Sequence, residues 1–205
     1  RYGEKKFEPG ILADANRNFL YVDEVNLLED HIVDLILDSA AMGINTVERE
    51  GVSFVHPARF ILVGTMNPEE GDLRPQLLDR FGLSVRVTSL TRKEERIEIL
   101  RRKAFFDRDP EGFYKTWEER QEELKRRIFN ARATLESIPL DDSVLEKIIN
   151  VTSSLRLDGH RPDIVMMKAA RALAAFRGLS FIGRDEIRDA ALFALNHRLK
   201  RLPFE

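Results

Sequence analysis

Two apolar runs, "FLYVD" at residues 19–23 and "FILVGTM" at 60–66, constrain this chain more than any other feature. Neither shows the alternation of a half-solvated strand. Both predict strands covered on two faces, which is the usual state of a parallel sheet. Parallel neighbours need a long crossover. The segment from Leu28 to Met42 supplies one, with Leu28, Ile32, Leu35, Ile36 and Ala40 at helical spacing and Gly43 as a stop. Between this helix and the second run, Thr46-Val47 and Val52–Val55 flank Glu50-Gly51, which predicts a β-hairpin. The first part of the chain is therefore α/β.

Past residue 90 the pattern becomes helical throughout. Thr91-Arg92-Lys93-Glu94 fits a capping box, followed by Ile97, Leu100 and Ala104 at helical spacing. A charged helix through Trp117, Leu124, Ile128, Ala131 and Leu135 ends before Pro139, and its charges read as a solvated face. Three more helices are predicted over about 141–155, 161–177 and 184–200, with Pro162 in a first turn and Gly178 as a stop. The expected organisation is an α/β part over residues 1–90, charged linker helices over 91–138 and a helical domain over 139–205.

Composition excludes several classes. The chain has 205 residues, enough for one sizeable domain or two small ones. Its 33 basic and 35 acidic residues nearly cancel, which gives no reason to expect a nucleic-acid or acidic-membrane partner. It has no cysteine, so disulfides and thiolate metal sites are excluded. No apolar run approaches the length of a membrane-spanning helix, and a soluble protein is the expectation. The four histidines, His31, His56, His160 and His197, lack ligand spacing and read as surface or packing residues.

Candidate chemistry gathers at the ends of the two apolar runs, because ligands of open α/β sheets bind at the carboxyl ends of their strands. The first run ends in Asp23-Glu24. An acid there can hold Mg²⁺ through water, and a following Glu can orient the water that attacks a γ-phosphate. The competing reading is that the pair caps the helix beginning near Leu28. The second run leads to Asn67, whose amide can bond a phosphate oxygen and a water together, or which is simply a turn residue before Pro68. In "LRPQLLDRFG", residues 73–82, a short helix ends at Arg80. That guanidinium can reach a phosphate held by a neighbouring subunit, or an Arg here can pair with Asp79 at the surface. Arg161, at the start of a later helix in "GHRPDIV", suits an anion or is an ordinary exposed arginine.

Taken in order, the stretches "FEPGILADANRNFLYVDEVNLLEDHIVDLILDSAAMGINTVEREGVSFVHPARF", "VGTMNPEEGDLRPQLLDRFG" and "GHRPDIV" resemble AAA+ ATPases, most closely the ATPase (I) subunits of magnesium chelatase. The resemblance implies a partial AAA+ parallel-sheet core with a β-hairpin insertion, followed by an all-helical lid. It places the Walker B acids on Asp23 and Glu24, sensor 1 on Asn67, the arginine finger on Arg80 and sensor 2 on Arg161. It implies ATP and Mg²⁺ as cofactors, with Asp23 as the metal acid. It also implies a ring of this subunit, a hexamer in the expected form, with two partners: a chelatase subunit with an integrin-like domain, and a large porphyrin-binding subunit. The setting would be the cytoplasm, or the plastid stroma in a plant or alga.

One departure stands out. The phosphate loop G-x-x-x-x-G-K-[ST] is absent from these residues. The expectation is that the N-terminal part of the core lies upstream and that this chain alone does not hydrolyse ATP. Neighbouring readings are a cobalt-chelatase small subunit, a MoxR-like remodelling ATPase, or a non-catalytic scaffold that kept the fold.

Overall fold

The computed structural model describes residues 8–49, 51–155, 157 and 159–199, and divides the chain into two compact units, Arg1–Phe81 and Gly82–Glu205. The first unit begins with the short helix α1 (Ile11–Asp14) and strand β1 (Phe19–Val22). A single 3-10 turn, Val25–Leu27, leads into α2 (Asp30–Met42). Gly43 ends that helix at φ 71°, where a Cβ would be strained and would also lie 2.9 Å from Arg59 Cγ. The hairpin β2 (Ile44–Arg49) and β3 (Val52–Pro57) follows. It is antiparallel, with Ile44 opposite Pro57 and Arg49 opposite Val52. Strand β4 (Ile61–Gly64) then pairs with β1 in parallel register, Phe19 opposite Ile61 and Val22 opposite Gly64. A 3-10 turn at Pro68–Glu70 and helix α3 (Pro75–Arg80) complete the unit.

The parallel β1–β4 pair, its helical crossover and the hairpin all appear where the apolar pattern puts them. Burial does not follow the prediction on both faces. Leu20 is buried and packs with Leu12, Ala15, Ala58 and Phe60, with Val22, Ile36, Ala40 and Leu62 around them. On the opposite face Phe19, Tyr21, Ile61 and Val63 are exposed, because among the described residues nothing packs over them. A second cluster of Val25, Val33, Leu37, Leu73 and Leu77 seats α2 against α3.

The second unit is helical. Helix α4 (Lys93–Arg108) and helix α5 (Pro110–Thr134) form a hairpin in which neither buries a residue. Rings hold its turn instead: Phe113 meets Phe105 and Phe106 edge-on at 5.6 Å each, and Arg102 lies over the Trp117 ring. The predicted capping box at Thr91 does not form. The helix starts at Lys93, so its N-cap is Arg92, whose side chain makes no capping bond. Helix α6 (Asp142–Ser154) is capped by Asp141, whose side chain accepts from Val144 N at 3.0 Å. Helix α7 (Arg161–Phe176) has proline in its first turn, and α8 (Arg184–Leu195) follows. That last helix stops at Leu195, short of the predicted residue 200. Arg198 instead turns its guanidinium back onto the carbonyl oxygens of Ala194 and Gly82. Ile138, Val144, Ile148, Met166, Ala170, Ala174, Ile187 and Ala190 form part of the core of this unit. The alanines on α7 and α8 let those helices approach closely. No described helix is long and apolar enough to cross a membrane.

Candidate active site at the strand ends

Parallel pairing of β1 with β4 brings the residues after each strand to one edge. Asp23 follows Val22 as Thr65 follows Gly64, so the two stand side by side. The Thr65 hydroxyl donates a short hydrogen bond to Asp23 Oδ1, and the Tyr21 hydroxyl donates to the same oxygen at 3.0 Å. These two bonds, with help from the Glu24 N–H and against a smaller effect of burial, hold the Asp23 carboxyl below the ordinary aspartate range. Asp23 is thus an ionised carboxylate at neutral pH.

Glu24 occupies the left-handed region, φ 49° and ψ 50°, although it is not glycine. Such a backbone costs on the order of 1 kcal/mol and persists only where neighbours fix it. Here Glu24 N donates to Thr65 Oγ1 at 3.2 Å and Val25 N donates to the Thr65 carbonyl at 2.8 Å. Neither acid caps a helix through its side chain: the N-cap of α2 is Glu29, and the turn after Glu24 receives no side-chain bond. The capping reading of the acid pair is therefore not what the structure shows.

Asn67 begins the 3-10 turn on the neighbouring strand, where its Oδ1 accepts from Glu69 N at 3.2 Å. The turn role is real, and the amide nitrogen remains without a partner among the described residues. Asn26 joins the two loops, donating through Nδ2 to the Gly71 carbonyl at 3.0 Å and to the Asn67 carbonyl at 3.5 Å. Gly64 is also needed at this edge, since a Cβ there would press at 3.3 Å on both Val25 and Phe81.

Arg80 lies on α3, but it does not project freely. Its guanidinium donates to Asp34 at 2.5 Å and, more closely still, to Asp38, both on α2. Arg80 is held by this two-aspartate latch, because α2 presents the acids one turn apart. Arg161 opens α7 in the helical unit and is exposed. The structure thus brings Asp23, Glu24 and Asn67 together in the first unit. Two contributors, Thr65 and Asn26, were passed over in the sequence. The only signal for Thr65 is its register opposite Asp23.

The donor set suits Mg²⁺ held with a nucleotide. Mg²⁺ keeps several waters and takes one or two carboxylates plus phosphate oxygens, and Asp23 offers one ionised carboxylate with its contacts concentrated on a single oxygen. Among the described residues no group of three or more His, Cys, Asp or Glu could form an all-protein cage. His56 is a packing residue, bonded to Asn45 at 3.1 Å and to the Pro57 carbonyl at 3.0 Å.

A parallel sheet edge carrying these acids, a polar loop one strand over and a separate helical unit define an AAA+-like ATPase fold. A Cytophaga hutchinsonii protein assigned as an ATPase has the same fold, with a TM-score of 0.62 at 19% identity, over 89% of this chain and 58% of that one. The sequence matches the family "Magnesium chelatase, subunit ChlI" over residues 2–74 and the "AAA lid domain" family over residues 145–205. A magnesium-chelatase subunit ChlI homolog of Methanocaldococcus jannaschii is 53% identical across 99% of this chain and 56% of its own length. The magnesium-chelatase 38 kDa subunit of Cereibacter sphaeroides is 52% identical over 99% of this chain and 61% of its own. The chain therefore belongs to the AAA+ ATPases, in the magnesium-chelatase ChlI family, and spans a little over half the length of these relatives.

Proposed function

We propose that this chain is part of the ATPase motor of a magnesium chelatase, which couples ATP hydrolysis in an oligomeric ring to Mg²⁺ insertion into protoporphyrin IX by a partner subunit. The observation that carries the reading is the shared edge of β1 and β4, where an ionised Asp23, a strained Glu24 and Asn67 stand on adjacent loops. Family membership supports it. Bound Mg²⁺-ATP supplies the electrophilic phosphorus and the metal charge on which these residues act. In this reading Asp23 holds the metal through water, Glu24 orients the attacking water and accepts its proton, and Asn67 senses the γ-phosphate. Arg80 serves a neighbouring subunit's site as an arginine finger, and Arg161 contributes from the lid as sensor 2.

On the same reading residues 1–90 belong to the core, 91–138 link and 139–205 form the lid. The ring is a hexamer of this subunit. Its partners are a chelatase subunit with an integrin-like domain and a large porphyrin-binding subunit, working in the cytoplasm or in a plastid stroma. Porphyrin chemistry resides in the large subunit. This chain carries no phosphate loop, so nucleotide affinity requires the remainder of the core.

The test is ATP binding and turnover with Mg²⁺ for this chain beside a form extended upstream to the length of its relatives. Binding and hydrolysis by the extended form alone are expected. Absence of both in the extended form would sink the motor reading, and turnover by the 205-residue chain that depends on Glu24 would sink the claim that it is inactive alone.

A further inference from the structure

Thr65 touches four consecutive residues of the acid loop. Its N–H donates to the Val22 carbonyl at 3.0 Å and its own carbonyl accepts from Val25 N at 2.8 Å. Any residue could make those two bonds. The other two belong to the side chain: Oγ1 donates its proton to Asp23 Oδ1 and accepts the N–H of Glu24 at 3.2 Å. A hydroxyl is the group that donates and accepts through one atom, at the short reach this spacing demands. Thr65 is half-buried, at the end of a strand whose parallel register fixes its distance from the acids.

We propose that Thr65 is a positioning residue for the acid pair, its hydroxyl setting the orientation of the Asp23 carboxylate and holding Glu24 in its left-handed backbone. The inference rests on the reading of Asp23 and Glu24 as the metal and water-orienting acids, and adds a residue outside the set the family resemblance assigns. The hydroxyl fixes one oxygen of Asp23, and the other carries no hydrogen bond among the described residues. At Glu24 it offsets the strain, so that the side chain leaves the loop in one direction. Losing the hydroxyl frees both acids to sample other rotamers without removing either charge. The consequence falls on metal engagement through Asp23 and on the chemical step through Glu24, and to a lesser extent on capture of nucleotide.

The experiment compares Thr65→Val, which keeps the shape and removes the hydroxyl, with Thr65→Ser, which keeps the hydroxyl. Both are made in the protein extended to its relatives' length, beside Asp23→Asn as a control. Two quantities are read: the Mg²⁺ concentration at half-saturation of nucleotide binding, measured with a fluorescent, non-hydrolysed ATP analogue, and the split between kcat and KM for ATP. Thr65→Val should raise the Mg²⁺ requirement and lower kcat, each by about tenfold, as expected for loss of a charge-assisted hydrogen bond. KM at saturating Mg²⁺ should move less than about twofold, and Thr65→Ser should restore most of both losses. Wild-type Mg²⁺ dependence and kcat in Thr65→Val would overturn the inference. Equal damage in Thr65→Ser would overturn it too, by assigning the effect to the methyl group. If Asp23→Asn leaves the Mg²⁺ dependence unchanged, the underlying reading of the acid pair fails instead.

Discussion

Glu186 is the buried carboxylate that ties α7 to α8, and replacing it should loosen the helical unit by a calculable amount. It is 4% exposed. One oxygen accepts from Arg177 at 2.6 Å and the other from the backbone N–H of Gly183 at 3.0 Å, which gives the N-terminus of α8 half of a capping box. Arg177 also holds Asp189, which Arg188 contacts in turn, and Arg188 pairs with Asp185, so the network has five charges among the described residues. Desolvation pushes the Glu186 carboxyl up. The Arg177 guanidinium and backbone N–H groups outweigh it, leaving the group below its ordinary value of 4.5. Glu186→Ala removes a charge-assisted bond and a helix cap. Because a third of the Arg177 side chain is exposed, the ion pair counts for less than a fully buried one, and the total loss is about 2.5 kcal/mol. For a unit of about 120 residues the unfolding entropy is about 0.25 kcal/mol/K, so melting should fall by about 10 °C. Far-UV circular dichroism would follow it. Since the folded pKa lies below the unfolded one, this carboxylate's contribution is complete above the unfolded value and is lost as pH falls through the folded one. The gap between wild type and Glu186→Ala should therefore hold at neutral pH and shrink below pH 4.5. A drop under about 3 °C at neutral pH, or a gap that widens in acid, would refute the account.

Three further outcomes concern the strand edge and the latch, each measured in the protein extended to its relatives' length. Glu24→Gln should leave nucleotide binding intact and slow hydrolysis by roughly a hundredfold or more, because the amide keeps the size and cannot accept a proton; an unchanged single-turnover rate would remove Glu24 from the chemistry. Replacing Asp34 and Asp38 together by asparagine should raise turnover about fivefold if the partly exposed latch is worth about 1 kcal/mol against finger engagement. An unchanged or lower rate in intact assemblies would show that the aspartates do not hold Arg80 back. Gly71 sits at φ 122° and ψ 156°, with nothing near its missing Cβ. Gly71→Ala should therefore cost about 1–3 kcal/mol purely through backbone strain and disturb the bond that Asn26 makes to its carbonyl. Wild-type melting with that variant would contradict the strain argument.

What the sequence made legible and what it hid follow a physical division between local and distant information. Helix α2, its stop at Gly43 and the hairpin closing at Gly51 are written in short-range periodicity and in two residues whose backbone freedom the chain requires. The parallel pairing was legible because two apolar runs with an intervening helix leave few other arrangements. Thr91 looked like a helix cap, since the box pattern depends on four adjacent letters, yet the choice of N-cap was made by where the helix began, two residues inside it. Arg80 shows the same limit at longer range. Its partners lie more than forty positions upstream, and no local pattern distinguishes an arginine that projects from one latched to Asp34 and Asp38. Thr65 was hidden most thoroughly, because inside "FILVGTM" it reads as one more strand residue. Its meaning appears only when β1 and β4 come into register and set its hydroxyl between the carboxylate of Asp23 and the backbone of Glu24. The acids could be recognised from the sequence by their charge at a strand end, while the geometry that makes them a pair depends on a neutral neighbour 42 positions from Asp23.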